Sequence, residues 1–159
     1  CVTAINNATF TGCTALSSVT IPAGVKIIGT DAFNSCTSLT SVEISEGVTT
    51  IGDTAFMGCS SLTDVTIPDS ITSIGCQAFD VTPFYKNQVG TFKYAGKWII
   101  NCYTTKETVT IGNDVVGIAE GAFVERKTIT SITIPGNVKY IEDFAFAQCY
   151  IQVPSGNLG

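Results

Sequence analysis

Apolar residues recur along most of this chain at a spacing of 23 positions. The segment 51–74, IGDTAFMGCSSLTDVTIPDSITSI, contains one unit of the pattern, and apolar types keep the same phase in the neighbouring units. Moving back by 23 residues places Phe56 on Phe33, and a second step reaches Phe10. A period between about 20 and 50 residues is typical of stacked coils. The pattern therefore predicts a β-rich solenoid.

Each unit contains a short stretch in which polar and apolar residues alternate. In SVTIP, residues 18–22, Val19 and Ile21 are expected to face inward and Thr20 outward, as in a half-buried strand. Related stretches lie near residues 42, 65, 109, 132 and 151, and we expect all six to form one parallel sheet. The Ile-Gly pair that follows each stretch predicts a turn and a second short extended piece.

An Ala-Phe pair, or a close variant, follows the Ile-Gly pair and predicts a compact curve such as a single helical turn. Its phenylalanine is expected to fill the centre of each coil. Cys13, Cys36 and Cys59 lie three residues later, and we expect them to be buried and reduced. The chain has seven cysteines, so at least one has no disulfide partner within it, and close pairs of the zinc-binding kind are missing.

The spacing breaks once, because 44 residues separate Phe79 from Phe123. The additional material lies at residues 80–108, where alternating residues on both sides of Ala95-Gly96 predict a β-hairpin. Since no coil requires these residues, we expect the hairpin to protrude. Residues 1–159 are predicted to form a single solenoid domain, with the hairpin inserted within it.

The succession of Leu62, V-x-I-P, I-G, A-F and a later cysteine resembles the BspA-like leucine-rich repeats, and the inserted TPFYKNQ and YAGK segments are similar to an insertion in bacterial members. Arg126 and Thr82 depart from the pattern by replacing the cysteine. The resemblance implies a leucine-rich repeat fold with no catalytic residues. It also implies an extracellular or cell-surface protein, since members occur at the surface of gut and oral bacteria and parasitic protists, several of them implicated in adhesion to host proteins or other cells.

Composition excludes several classes of protein. A net charge of −5 supplies no basic stripe for nucleic acid, and no apolar run reaches the roughly 18 residues of a membrane span. The chain has no histidine, which removes the usual catalytic triads. Asp31, Asp53 and Asp143 precede the Ala-Phe turn and are interpreted as turn residues rather than an acid/base pair. We therefore expect no enzymatic activity, no cofactor and no metal.

Two surfaces are candidates for binding a partner. The first is the ladder of outward strand residues, here called the Thr/Ser ladder, although serine and threonine also suit an exposed sheet by β-propensity alone. The second is the hairpin, whose aromatic and basic residues are typical of interface hot spots but would also suit docking on the solenoid. We favour the hairpin and expect Tyr85 or Trp98 to be at least partly exposed. The candidate residues are Thr20, Thr66, Thr110 and Thr133 on the ladder, and Tyr85, Tyr94, Lys97 and Trp98 on the hairpin.

Three functional hypotheses follow. The first is a recognition or adhesion module that binds a host protein or another cell, the second is a structural spacer in a larger surface protein, and the third is a glycan-binding solenoid. The repeat is already under way at Val2, whereas solenoid ends normally carry a polar cap. We therefore expect Cys1 to be a boundary within a longer protein.

Overall fold

The computed structural model describes residues 2–151, which form a solenoid of stacked coils with short parallel strands and almost no helix. The predicted β-rich solenoid is confirmed. Its strands are β1 (Ala4–Ile5), β2 (Ser18–Ile21), β3 (Ile27–Ile28), β4 (Ser41–Ile44), β5 (Thr50–Ile51), β6 (Asp64–Thr66), β7 (Ser73–Ile74), β8 (Phe92–Ala95), β9 (Trp98–Cys102), β10 (Thr108–Thr110), β11 (Gly117–Ile118), β12 (Ser131–Thr133) and β13 (Tyr140–Ile141), and its helix is α1 (Pro83–Lys86).

Each regular coil contributes two short strands, which belong to different sheets. Strands β2, β4 and β6 form the ladder sheet of the first coils, while β1, β3, β5 and β7 form the second sheet. The expectation of one continuous ladder sheet is wrong, because β10 and β12 pair separately as a two-stranded sheet beyond the insertion. The sixth expected strand, near residue 151, is not seen at Ile151, and its remaining residues lie outside the described part of the chain.

The Ala-Phe segments are compact curves, but they are not helical turns. Their backbone alternates into the left-handed region, with φ of 57° at Asp31 and 60° at Ser35. Alternate amides therefore point along the solenoid axis, and the N–H of Phe33 donates to the carbonyl of Ala55 on the next coil at 2.8 Å. The curve thus satisfies its backbone by bonding to its neighbour rather than to itself.

A column of phenylalanine rings fills the centre of the first four coils. Phe56 is fully buried between Phe33 and Phe79, with ring centroids at 5.2 and 5.4 Å and planes within 5° of parallel. Phe10 continues the column, 5.1 Å from Phe33, but is partly exposed on the first coil. The predicted position of the aromatic core is confirmed.

The cysteines form a second column beside the rings. Cys36 and Cys59 are buried, and each thiol donates to the carbonyl of a phenylalanine on the preceding coil at 3.1 Å. Burial raises the pKa of the Cys59 thiol to about 12. Cys13 was expected to be buried, but it is exposed because no neighbouring coil within the described residues covers that side of the first coil.

The carboxylates before the Ala-Phe turn also connect coils. Asp31 accepts hydrogen bonds at 2.7 Å from the Thr54 hydroxyl on the next coil and from the Asn34 side chain within its own turn, and these lower the pKa of its carboxyl. Asp53 accepts the backbone N–H of Cys76, one coil further on, at 3.0 Å. Both carboxylates thus have structural partners, but the expected bond from each to its own backbone is not found among the described residues.

The insertion contains the predicted hairpin, since β8 and β9 are antiparallel and Gly96 takes a φ of 57° at the turn. The expectation that it protrudes is wrong. Strand β9 also pairs in parallel with β11, which places the buried Ile99 beside Ile118. The hairpin strands therefore belong to a separate four-stranded sheet of order β13-β11-β9-β8 and are part of the stack.

The insertion also replaces the aromatic column where the regular spacing fails. The ring centroids of Phe84 on α1 and Phe79 are 5.3 Å apart, and those of Phe92 on β8 and Phe123 are 5.9 Å apart. The buried residues divide into two clusters. The helix begins after Thr82, whose buried hydroxyl accepts the N–H of Tyr85.

The part of the chain that the structure describes contains no helix with the length and apolar character needed to cross a membrane.

We expect Phe56→Ala to lower the free energy of unfolding by about 3–5 kcal/mol, because it leaves a cavity between two stacked rings. Urea denaturation measures the loss. Phe144→Ala is the matched control, since its ring is 69% exposed, and it should cost far less. Equal stability of the Phe56 variant and the parent would contradict the central role of the column.

We expect a maleimide reagent to modify Cys13 rapidly and Cys59 slowly in the folded protein. The Cys59 thiol is buried, hydrogen-bonded and, with a pKa of about 12, almost wholly protonated near neutral pH. Peptide mapping by mass spectrometry after timed labelling compares the two sites within one molecule. Similar rates at both would show that the coils open faster than the reagent reacts.

Candidate binding surfaces

The two hairpin aromatics that were expected to be exposed are buried, and that expectation is wrong. Trp98 is only 2% exposed, and its indole stacks on Tyr140 at 5.6 Å with the planes 11° apart. Gly117 lies between them in the sheet, where an added Cβ would come within 2.5 Å of the indole. The indole therefore occupies the space that a side chain at Gly117 would need.

Tyr85 is 7% exposed and belongs to the core beside the helix. Its hydroxyl shares a hydrogen bond of 2.5 Å with that of Tyr103, and burial raises its pKa well above the usual value. The phenol is held by packing and by one polar contact. Tyr85 thus anchors the insertion to the core of the solenoid.

Tyr94 and Lys97 are the more accessible members of the hairpin set. Tyr94 is half-buried, and the side-chain amide of Gln88 bonds both its N–H and its carbonyl, at 2.7 and 2.8 Å. Those backbone groups of β8 are therefore occupied and cannot pair with another strand. Lys97 is 53% exposed and forms an ion pair of 2.7 Å with the exposed Asp69.

The structure thus separates the candidate residues into two kinds. The hairpin aromatics hold the insertion in place, whereas the Thr/Ser ladder faces solvent. Thr20 lies in register with Glu43 and Thr66, and Thr110 lies in register with Thr133 on the later sheet. All five residues are exposed, and the alternate residues of the strands face the core.

The hydroxyls of the ladder differ from those of other threonines in the coils. Thr40, Thr63 and Thr130 each donate to a backbone carbonyl on the preceding coil, at 3.0 to 3.4 Å. Within residues 2–151 the side chains of the four ladder threonines make no hydrogen bond to another residue, so their bonding capacity is directed to solvent. These four residues are Thr20, Thr66, Thr110 and Thr133.

The first ladder sheet forms a shallow groove that carries negative charge. Glu43 and Asp64 lie in this groove beside Ser18, Ser41 and the threonines. Neither carboxylate has a basic side chain within 4.0 Å in the described part of the chain. The surface therefore offers hydroxyl groups and two free acceptors on a rigid support.

Sequence reasoning noted Arg126 only as a departure from the cysteine pattern. In the structure its guanidinium lies 5.1 Å from the centroid of the Tyr103 ring, and the Lys93 ammonium lies 5.9 Å from the same centroid. The sequence signal for this cluster was the replacement of a cysteine by a cation at the Arg126 position. The cluster of Arg126, Lys93 and Tyr103 is a third surface feature, at the edge of the insertion.

A family model described as "BspA type Leucine rich repeat region" matches residues 1–98 and 97–155 with 6 copies of the repeat. No curated protein matched the chain. The sequence comparison therefore supports the resemblance across nearly the whole chain.

Solved structures give the same result. The chain is 34% identical to a leucine rich cell surface protein from Faecalibacterium prausnitzii A2-165, with a TM-score of 0.51 over 94% of this chain and 35% of that one. It is 25% identical to a leucine-rich repeat protein from Bacteroides ovatus ATCC 8483, with a TM-score of 0.52 over 92% and 38%. The chain thus spans little more than a third of either relative.

We expect Trp98→Ala to cost about 3–5 kcal/mol of unfolding free energy, because it removes a buried ring between strands. Lys97→Ala is the neighbouring control and should cost at most about 1 kcal/mol, since exposed ion pairs contribute little. Thermal or urea unfolding of both variants makes the comparison. Equal stability of Trp98→Ala and the parent would mean that this residue does not anchor the hairpin.

Proposed function

The chain belongs to the BspA-type leucine-rich repeat family, and from this premise we propose that it is a non-enzymatic recognition or adhesion module. In this proposal it is exposed at a cell surface or secreted, and it binds host proteins or other cells through the Thr/Ser ladder. The hairpin is an anchored element of the scaffold and not the primary contact surface.

One observation carries the proposal. The ladder threonines have free hydroxyls, whereas threonines at neighbouring phases use theirs to hold coils together. Packing of the coils requires the hydroxyls at the neighbouring phases, but it does not require those of the ladder threonines. A row of unpaired polar groups on stiff strands can form hydrogen bonds with a partner without first being reordered, which reduces the entropic cost of binding.

Location outside the cell has separate support. The relative from Faecalibacterium prausnitzii is described as a cell surface protein, and it is 34% identical to this chain. The absence of histidine supports a non-catalytic role, because the common nucleophilic triads need that residue.

Two alternatives make different predictions for the same surface. A structural spacer would carry the ladder only because serine and threonine suit exposed strands, and it would bind nothing. A glycan-binding solenoid would use the hydroxyl ladder for sugar hydroxyls. The groove at Glu43 and Asp64 favours a protein partner with basic groups, because its two carboxylates have no cation beside them.

We expect the double variant Thr20→Lys and Thr66→Lys to lose binding to purified extracellular matrix proteins or to whole cells at least tenfold. The new ammonium groups would fill the groove and neutralise its carboxylates. Surface plasmon resonance against a panel of matrix proteins, together with a cell adhesion assay, measures the effect.

The control is the double variant Thr37→Lys and Thr128→Lys, which adds the same charge at exposed threonines outside the ladder. Retained binding by the ladder variant and lost binding by the control would place the contact elsewhere. Binding to no protein or cell would favour the spacer, and binding only to a glycan array would favour the glycan hypothesis.

A further inference from the structure

Two cations lie beside one partly exposed tyrosine at the edge of the insertion. The Arg126 guanidinium and the Lys93 ammonium approach the Tyr103 ring to 5.1 and 5.9 Å, while that ring remains 49% exposed. Lys93 itself is only 9% exposed, and it also lies 5.7 Å from the ring of Tyr85. Two positive charges thus lie near an accessible aromatic ring.

Neither cation is neutralised by a carboxylate. Across residues 2–151 the only ion pair within 4.0 Å joins Lys97 to Asp69. The Lys93 ammonium donates to the carbonyl of Gln88, and Arg126 donates from Nη2 to the Asn101 side chain at 3.4 Å. The buried Nε of Arg126 has no hydrogen-bond partner. Both cations therefore keep their positive charge at one place in a chain of net charge −5.

Two clefts meet at Tyr103. One, of about 450 Å³, is lined by Lys86, Gln88 and Lys93 together with the two tyrosines. The other, of about 380 Å³, is lined by Thr104, Thr105 and Arg126. Each cleft therefore combines at least one positive charge with neutral hydrogen-bonding groups, and the Tyr103 ring is common to both.

We propose that the two clefts form one binding site for an acidic oligosaccharide built of uronic acid residues. One sugar lies with its C–H face against the Tyr103 ring, and its carboxylate bonds Arg126. A second carboxylate, on the next sugar, lies near Lys86 and Lys93. Guanidinium groups pair with carboxylates through strong charge-assisted hydrogen bonds, and Thr104, Thr105 and Gln88 offer partners for sugar hydroxyls.

The number and arrangement of charges favour this ligand over a longer polyanion. Nucleic acids need a row of cations along many phosphates, and only three basic side chains line the two clefts. The site shares no residue with the Thr/Ser ladder, so it goes beyond the function proposed above and can be tested independently. It implies that the protein contacts acidic polysaccharide as well as a protein partner.

Titration calorimetry with trigalacturonic acid at fixed ionic strength tests the site. We expect saturable binding that Arg126→Gln weakens at least tenfold, because the substitution removes the charge-assisted hydrogen bonds between the guanidinium and the carboxylate. Tyr103→Phe should keep most of the affinity, and Tyr103→Ala should lose it. Lys139→Gln removes an equal charge outside the clefts and should change nothing.

Thermal melting of each variant separates lost binding from lost structure. Lys86→Gln alters an exposed side chain and should weaken binding several-fold, so the test remains decisive if Arg126→Gln unfolds. The proposal is overturned by the absence of saturable binding, or by equal affinity of Arg126→Gln. Equal binding of neutral maltotriose would remove the role of charge, and equal binding of triglutamate would reassign the site to an acidic peptide.

Discussion

Hydrogen bonding between the backbones of successive coils at a fixed phase of the repeat is the constraint on which the molecule depends. The N–H of Phe33 bonds the carbonyl of Ala55, and that of Phe56 bonds the carbonyl of Ala78, each at 2.8 Å. A bond of this kind holds only if both coils follow the same path at that phase. The same requirement brings the phenyl rings into a column, aligns the buried thiols with phenylalanine carbonyls, and places outward strand residues in register. The 23-residue period is therefore a property of the backbone bonding, and the side-chain columns follow from it.

The insertion shows how the stack tolerates a departure from that period. Its strand β9 pairs with β11 in a separate four-stranded sheet, so β11 has a parallel partner although no regular coil precedes it. Phe84 and Phe92 continue the aromatic packing on either side, but the core divides into two clusters there. Trp98 lies across from Gly117, where an added Cβ would come within 2.5 Å of the indole. Because the aromatic side chains are used for this purpose, the hairpin that was the stronger candidate for binding is mainly structural.

The sequence could predict the burial of residues that recur at one phase of the repeat. The prediction failed for residues whose burial depends on a contact that the repeat does not specify. The phase of Phe56 recurs in several units, so its burial was predictable. The hairpin was also predictable, because strand alternation and a glycine turn are local signals. The burial of Trp98 was not, since it depends on the pairing of β9 with β11, which spacing alone does not reveal. Cys13 was misjudged for a related reason: a repeat specifies which side chain faces a neighbour, but the first coil has none on one side within the described residues.

Threonines at different phases show how structural and available groups can be told apart in such a fold. Thr40 and Thr63 each bond a carbonyl on the preceding coil, so substitution there weakens the stack. Thr20 is equally exposed but bonds no other described residue, so the stack places no demand on its hydroxyl. The same reasoning applies to Arg126, which occupies a phase where the stack elsewhere uses a cysteine thiol and which has no carboxylate partner. In a repeat whose packing explains most of its residues, groups that no coil requires are the ones on which selection for binding can act independently of stability.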